Sequence, residues 1–198
     1  MRKIVVGLTG AAGVGKSAFA RDLIRNHGFR RLSLADPLKL MIRAVLASWG
    51  YNTAAQDYWI EGDGKERPCP ALAYRTPRLA MQLLGTEYGR EGLDGDVWIN
   101  HLVKRIEANS ASRIVVDDVR FDNEAEAIIT RLDGCNFVIV GKDGKRPRRD
   151  PGDHASEKGV NPNFLDATLV NDFTFEGVSE QVREVLLPTI EKVYTNAA

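Results

Sequence analysis

Residues 10–17 read Gly10-Ala11-Ala12-Gly13-Val14-Gly15-Lys16-Ser17, an unbroken match to G-x-x-x-x-G-K-[ST]. The string limits the fold because it performs its task only between a strand and a helix. Ahead of it, Lys3-Ile4-Val5-Val6-Gly7-Leu8 is apolar and rich in β-branched residues, the pattern of a buried strand. Behind it, residues 18–24 place Phe19, Leu23 and Ile24 on one helix face. Glycines let the backbone curl until its N–H groups point inward, and the helix N-terminus adds partial positive charge there. Such a turn is built to hold a nucleoside triphosphate. Lys16 is expected to reach the β- and γ-phosphates, and the Ser17 hydroxyl to ligate Mg²⁺.

A chain of 198 residues is long enough for one α/β domain with a substantial core and insertions. Lys+Arg and Asp+Glu both number 27, so the formal net charge is zero, and a broad basic face for nucleic acid is not expected. Cys69 and Cys135 stand far apart and form no C-x-x-C pair. With no signal peptide and no apolar run near the ~20 residues of a membrane span, the chain reads as a soluble protein of a reducing, cytoplasmic compartment. None of the histidines (His27, His101, His154) has metal-ligand spacing with a cysteine, so zinc is not expected.

Strand and helix signals alternate along the chain, which predicts a parallel sheet of about five strands flanked by helices: a three-layer phosphate-loop sandwich. A second strand is expected over 29–34, ending at Asp36-Pro37, an N-cap acid followed by proline in the first helical turn. The helix behind it spaces Leu38, Met41, Ile42, Val45, Leu46 and Trp49 as a core stripe. Over 50–75 the periodicity fades, and an irregular excursion is expected. Thr76-Pro77 opens a helix ending at Gly85, and Asp94-Gly95-Asp96 introduces another through Trp98, Leu102 and Ile106. Ile114-Val115-Val116 is a short strand ending in Asp117 and Asp118. Asp122 is expected to cap a helix that buries Ala125, Ile128, Ile129 and Leu132. Strands are expected at 137–140 and 167–170, with a polar loop over 141–163 between them. A last helix over 179–194 should bend or break near Pro188. The chain is thus expected to be a single domain, with a substrate-binding insert over about 36–100 and a lid over about 141–163.

Many activities share a phosphate loop, so the rest of the chain must discriminate between them. No N-K-x-D string for reading guanine is present. The loop after the fourth strand carries Lys142, Lys145, Arg146, Arg148 and Arg149, at the carboxyl edge of the sheet where ligands bind. A basic loop there can close over the triphosphate, which makes Arg146, Arg148 and Arg149 candidate ATP contacts. These features favour a small-molecule kinase.

Further strings carry a resemblance. Leu34-Ala35-Asp36-Pro37-Leu38-Lys39, Thr76-Pro77-Arg78, Gln82 through Gly85-Thr86-Glu87-Tyr88-Gly89-Arg90, Asp96-Val97-Trp98 and Val116-Asp117-Asp118-Val119-Arg120-Phe121 together resemble the tailed-phage deoxynucleoside monophosphate kinases. His154-Ala155-Ser156-Glu157 is similar to that family as well. The resemblance implies γ-phosphoryl transfer from ATP, with Mg²⁺, to the 5′-phosphate of a deoxynucleotide. It implies Lys16, Arg90, Arg120 and Asp117 as catalytic residues, with Asp117 orienting the metal through water. Arg90 and Arg120 would clamp the acceptor phosphate, because a planar guanidinium matches a phosphate bidentately. Asp36, Lys39, Arg78, Gln82, Gly85, Thr86, Trp98, Asp118 and Glu157 complete the implied acceptor site. Gln82 would read a base edge, and Trp98 would stack on a base or fill the core. Adjacent strand residues point to opposite faces, so Asp117 and Asp118 should have different roles.

The implied partners are ATP and a deoxynucleotide, with neither nucleic acid nor membrane, in the host cytoplasm if the chain is phage-encoded; a homodimer is compatible with the resemblance. A phosphomevalonate or dephospho-coenzyme A type kinase, or an ATP-driven switch module, stays open as an alternative.

Overall fold

Apolar residues alternating along short strands build a sheet that is covered on both faces. The computed structural model describes residues 2–142 and 158–196. Its strands are β1 (Ile4–Thr9), β2 (Arg30–Leu32), β3 (Arg113–Val116), β4 (Cys135–Gly141) and β5 (Ala167–Asn171). All pair in parallel, in the order β2-β3-β1-β4-β5, which places β1 in the middle. The predicted five-stranded parallel sandwich is therefore observed.

Two compact units divide the described chain: one contains the sheet and the other spans Leu34–Asn100. In the sheet unit, Val6, Leu8, Val115, Cys135, Phe137, Ile139 and Leu169 share one face. They form one core with Phe19 and Leu23 of α1 (Lys16–His27) and with Val178 of α7 (Phe175–Gln181). The opposite face carries Gly7 and Asn136 against α6 (Asp122–Leu132), where the Asn136 amide donates to the Ala125 carbonyl at 2.9 Å. Burial of α6 falls on Glu124, Ala125, Ala127 and Ile128, whereas Ile129 is exposed, contrary to the expected inward face. Asp122 opens this helix rather than capping it; its carboxylate accepts the Asn161 N–H at 2.7 Å.

Pro188 acts one turn earlier than expected. Chain 182–186 widens into a π-helical turn, and the Leu187 N–H reaches back to the Val182 carbonyl. Proline lacks the N–H that would bond residue 184 and crowds that carbonyl, and the wider turn absorbs both effects. The helix therefore continues as α8 (Leu187–Asn196) without breaking. Its upstream partner α7 starts earlier than predicted, because the Thr174 hydroxyl caps it by accepting the Gly177 N–H.

The second unit starts with α2 (Asp36–Ser48), which buries Leu38, Ile42 and Leu46. Met41, Val45 and Trp49 are exposed, so only half of the predicted stripe is core. Segment 50–75 is more ordered than expected. The Asn52 side chain accepts the Ala55 N–H and starts α3 (Thr53–Ile60), and two 3₁₀ turns follow at Asp63–Glu66 and Pro70–Leu72. Nor does the helix opened by Thr76 stop at Gly85: α4 (Pro77–Leu83) continues as a π-helical stretch over Leu84–Glu91. Gly85 is held inside it, accepting the Trp98 indole N–H at 2.7 Å from α5 (Val97–Ala108).

Gly7 has no room for a side chain. A Cβ there would overlap the Asn136 carboxamide oxygen and stand 2.8 Å from Ile128 Cδ1. Gly7→Ala is expected to destabilise the protein by about 1–3 kcal/mol, lowering Tm by roughly 2–10 °C in thermal denaturation. An unchanged Tm would mean that α6 moves off the sheet at little cost.

Candidate active site

The phosphate loop follows the central strand β1 and leads directly into α1, as its sequence demands. Gly10 and Gly15 have φ of 132° and 99°, in the left-handed region that favours glycine. Gly10 also lies against β4, where a Cβ would stand 2.5 Å from the Ile139 carbonyl oxygen. The Val14 N–H bonds the Ala11 carbonyl at 3.3 Å and the Ala18 N–H bonds Gly15 at 2.8 Å, so the loop closes on itself before the helix begins. The Lys16 ammonium donates to the Gly10 and Ala11 carbonyls at 2.6 and 2.9 Å, folded across the loop. Ser17 is exposed in the first turn of α1, a turn that contains no acid.

The loop after β3 comes alongside. The Val119 N–H bonds the Leu8 carbonyl at 3.3 Å, bringing Val119 and Arg120 to the end of β1. One cleft is lined by Thr9, Gly10, Ala11 and Val14, by Val119 and Arg120, by the end of β4, and by Lys158, Gly159 and Val160. Buried Glu124 shapes this corner: its carboxylate accepts the Arg120 and Phe121 N–H groups at 2.8 and 3.1 Å. Sequence reading missed Glu124, although its place three residues into a helix is a capping position. Lys158 was missed as well.

Asp117 and Asp118 lie just past the end of β3, where strand alternation no longer applies, and each meets a residue at the β2 edge. The Arg31 Nε–H is 2.8 Å from both Asp117 oxygens, and the Ser33 hydroxyl donates to Asp118 at 2.5 Å. Ser33 is itself fixed through its carbonyl by Arg105 at 2.9 Å. Arg31 and Ser33 lie in and just after the edge strand β2, and no motif pointed to either.

The second unit carries the other candidates. Lys39 pairs with Glu61 at 2.8 Å, and Arg78 pairs with Glu66. Gln82 is half-buried in α4; Gly85, buried Thr86 and half-buried Arg90 belong to the π-helical stretch. Asp36 begins α2, with Ala35 rather than Asp36 at the cap. Trp98 is 7% exposed, its N–H is used by Gly85, and its ring fills the space where a Gly89 Cβ would stand. The indole thus packs within its own unit, as the core reading expects. Arg146, Arg148, Arg149 and Glu157 lie outside the described residues.

A family model for deoxynucleotide monophosphate kinase matches residues 74–182, more than half of the chain. The chain belongs to that family. A protein of Acanthamoeba polyphaga mimivirus named as a deoxynucleotide monophosphate kinase is 29% identical over 195 residues, covering 90% of this chain and 94% of its own. The deoxynucleoside-5′-monophosphate kinase of Escherichia phage T5 is 30% identical over 112 residues, 56% of this chain and 44% of that protein. Among solved structures, a gluconokinase from Sinorhizobium meliloti aligns over 100% of this chain and 98% of its own, with 12% identity and a TM-score of 0.48. Membership of the deoxynucleotide monophosphate kinase family makes the protein a kinase.

In this kinase, burial raises the Asp117 pKa above its ordinary value, against the pull of Arg31. An acid whose folded pKa exceeds its unfolded one binds its proton more tightly when folded. Its stabilising contribution is complete below the unfolded value, 3.8, and is lost as pH rises through the folded one. Asp117→Asn, free of Mg²⁺ and nucleotide, is therefore expected to match or exceed the native Tm at pH 7, with that advantage fading toward acid pH, while turnover falls. A clearly lower Tm at pH 7 would mean that the Arg31 pair outweighs desolvation.

Proposed function

We propose that this kinase transfers the γ-phosphoryl group of ATP to the 5′-phosphate of a deoxynucleoside monophosphate, giving ADP and a deoxynucleoside diphosphate. The observation that carries the reading is one cleft lined both by Gly10, Ala11 and Val14 of the phosphate loop and by Arg120 of the D-D-V-R string. Phosphate at its second ionisation, pKa ~6, is already largely anionic near neutral pH, so the acceptor oxygen attacks without a dedicated base. What remains is to align two polyanions and neutralise their charge.

The chain's own residues divide that task. Loop amides and Lys16 hold the donor's β- and γ-phosphates. Lys16 leaves the Gly10 and Ala11 carbonyls to do so, exchanging neutral acceptors for an anion that binds it more strongly. Arg120, with its N–H fixed by Glu124, and Arg90 clamp the acceptor phosphate. Arg78 and Gln82, four residues apart, share a helix face for the acceptor nucleoside, and the family resemblance assigns Asp36, Lys39, Gly85 and Thr86 to the same substrate.

Mg²⁺ fits this donor set. Among the described residues no group of three acids, histidines or cysteines could cage a cation, and a Mg²⁺ ion shared with substrate phosphates needs no cage. Ser17 would ligate it directly and Asp117 would orient its water shell; when bound, it supplies charge neutralisation at the β- and γ-oxygens. The setting we infer is cytoplasmic. Among the described residues no helix is long and apolar enough to cross a membrane.

A panel of deoxynucleotides at fixed ATP and Mg²⁺ tests the reaction. Turnover of phosphomevalonate with no nucleotide, or ATP hydrolysis independent of any acceptor, would overturn the reading. Lys16→Ala is expected to lower kcat about a hundredfold or more while Tm stays near native; an undiminished kcat would refute the loop assignment. Arg120→Ala should raise the acceptor KM or lower acceptor kcat/KM by about 10–100-fold, with the ATP KM little changed. The opposite split would exchange the donor and acceptor sides.

A further inference from the structure

Asn171, the last residue of β5, is 2% exposed and lies outside every motif used above. Its amide donates to the Val14 carbonyl at 2.8 Å, in the middle of the phosphate loop and 157 residues away in sequence. Its carboxamide oxygen accepts the Phe173 N–H at 2.8 Å, and its backbone carbonyl accepts the Lys142 N–H at 2.9 Å. A carbonyl only accepts and an N–H only donates, so these two partners allow the side chain a single orientation. The next turn anchors it further. The Asp172 carboxylate accepts both the N–H and the hydroxyl of Thr174, at 3.0 and 2.8 Å, and that hydroxyl caps α7.

A trans peptide is planar, so the Val14 carbonyl and the Gly15 N–H point in opposite directions. Turning the carbonyl toward Asn171 therefore aims the Gly15 N–H away from the Asn171 amide. Gly15 meets the same side chain: a Cβ there would overlap Asn171 Nδ2. We propose that Asn171 is a positioning residue for the donor nucleotide, setting the Val14–Gly15 peptide plane so that the Gly15 N–H faces the β-phosphate. The role rests on the donor reading of the phosphate loop given above.

Two variants test it, with ATP binding measured directly by calorimetry, apart from any acceptor. Asn171→Ala removes both side-chain bonds. Asn171→Asp keeps the shape and the acceptor for Phe173 but sets an oxygen against the Val14 carbonyl. Both are expected to weaken ATP binding about tenfold or more relative to wild type, with the acceptor KM within about twofold in turnover assays. A protonated carboxyl can donate to Val14. The ratio of Asn171→Asp to wild-type affinity should therefore recover between about pH 8 and about pH 5.5, whereas that of Asn171→Ala stays flat. Melting curves identify the folded preparations used.

ATP affinity within twofold of wild type in both variants, even with a lowered Tm, would reduce Asn171 to a structural tie and overturn the inference. A defect of Asn171→Asp that ignores pH would overturn it too. Wild-type protein that binds no ATP would instead overturn the donor reading, and this role with it.

Discussion

A phosphate loop works only if a bare turn of backbone can be held with its amides pointing inward at the end of a central strand. Three contacts impose that condition on this sheet. Gly7 leaves space for Asn136 one residue step into β4, Gly10 lies against the Ile139 carbonyl, and Gly15 lies against Asn171. The loop is therefore shaped by β4 and β5 as much as by its own sequence. Close packing makes each contact unforgiving, because protein interiors contain few voids into which a misplaced methyl could move. The Lys16 ammonium and the start of α1 inherit their positions from this arrangement.

Charge is distributed with similar economy. The chain is neutral overall, and two of the cations proposed for the acceptor side, Lys39 and Arg78, hold acids of the same unit. Lys39 with Glu61 and Arg78 with Glu66 are pairs whose acidic partners are 49% and 60% exposed. Pairs of that kind contribute roughly 0–1 kcal/mol, so they hold these cations only weakly. Arg31 with Asp117 is different, because Asp117 is buried and would be left in a poorly solvating site. The exposed pairs are weak ties, while the buried one is a fixed part of the sheet edge.

Some elements were legible because local chemistry decides them. The strand, loop and helix around residues 4–27 follow from β-branched residues, glycines and a clean helical face, and the parallel pairing, though not the strand order, follows from alternating strand and helix signals. α3 was missed because its start depends on one Asn52 hydrogen bond and its apolar periodicity is weak. The π-helical stretch over Leu84–Glu91 was missed because propensity does not count residues per turn. There Gly89 admits the Trp98 ring and Gly85 receives its N–H. The α2 stripe was over-read: periodicity identifies an apolar face but not which part of it another element covers.

By itself, the sequence determined that a nucleotide-binding loop stands between a buried strand and a helix, and that strands and helices alternate after it. Those are matters of neighbouring residues, whose preferences act over a few bonds. Tertiary structure alone decided that Arg31 meets Asp117, that Glu124 fixes Arg120, that Trp98 supports its own unit, and that Asn171 reaches the phosphate loop. Each joins residues far apart in sequence, or depends on space that only packing creates, and no local pattern encodes which distant side chain will fill it.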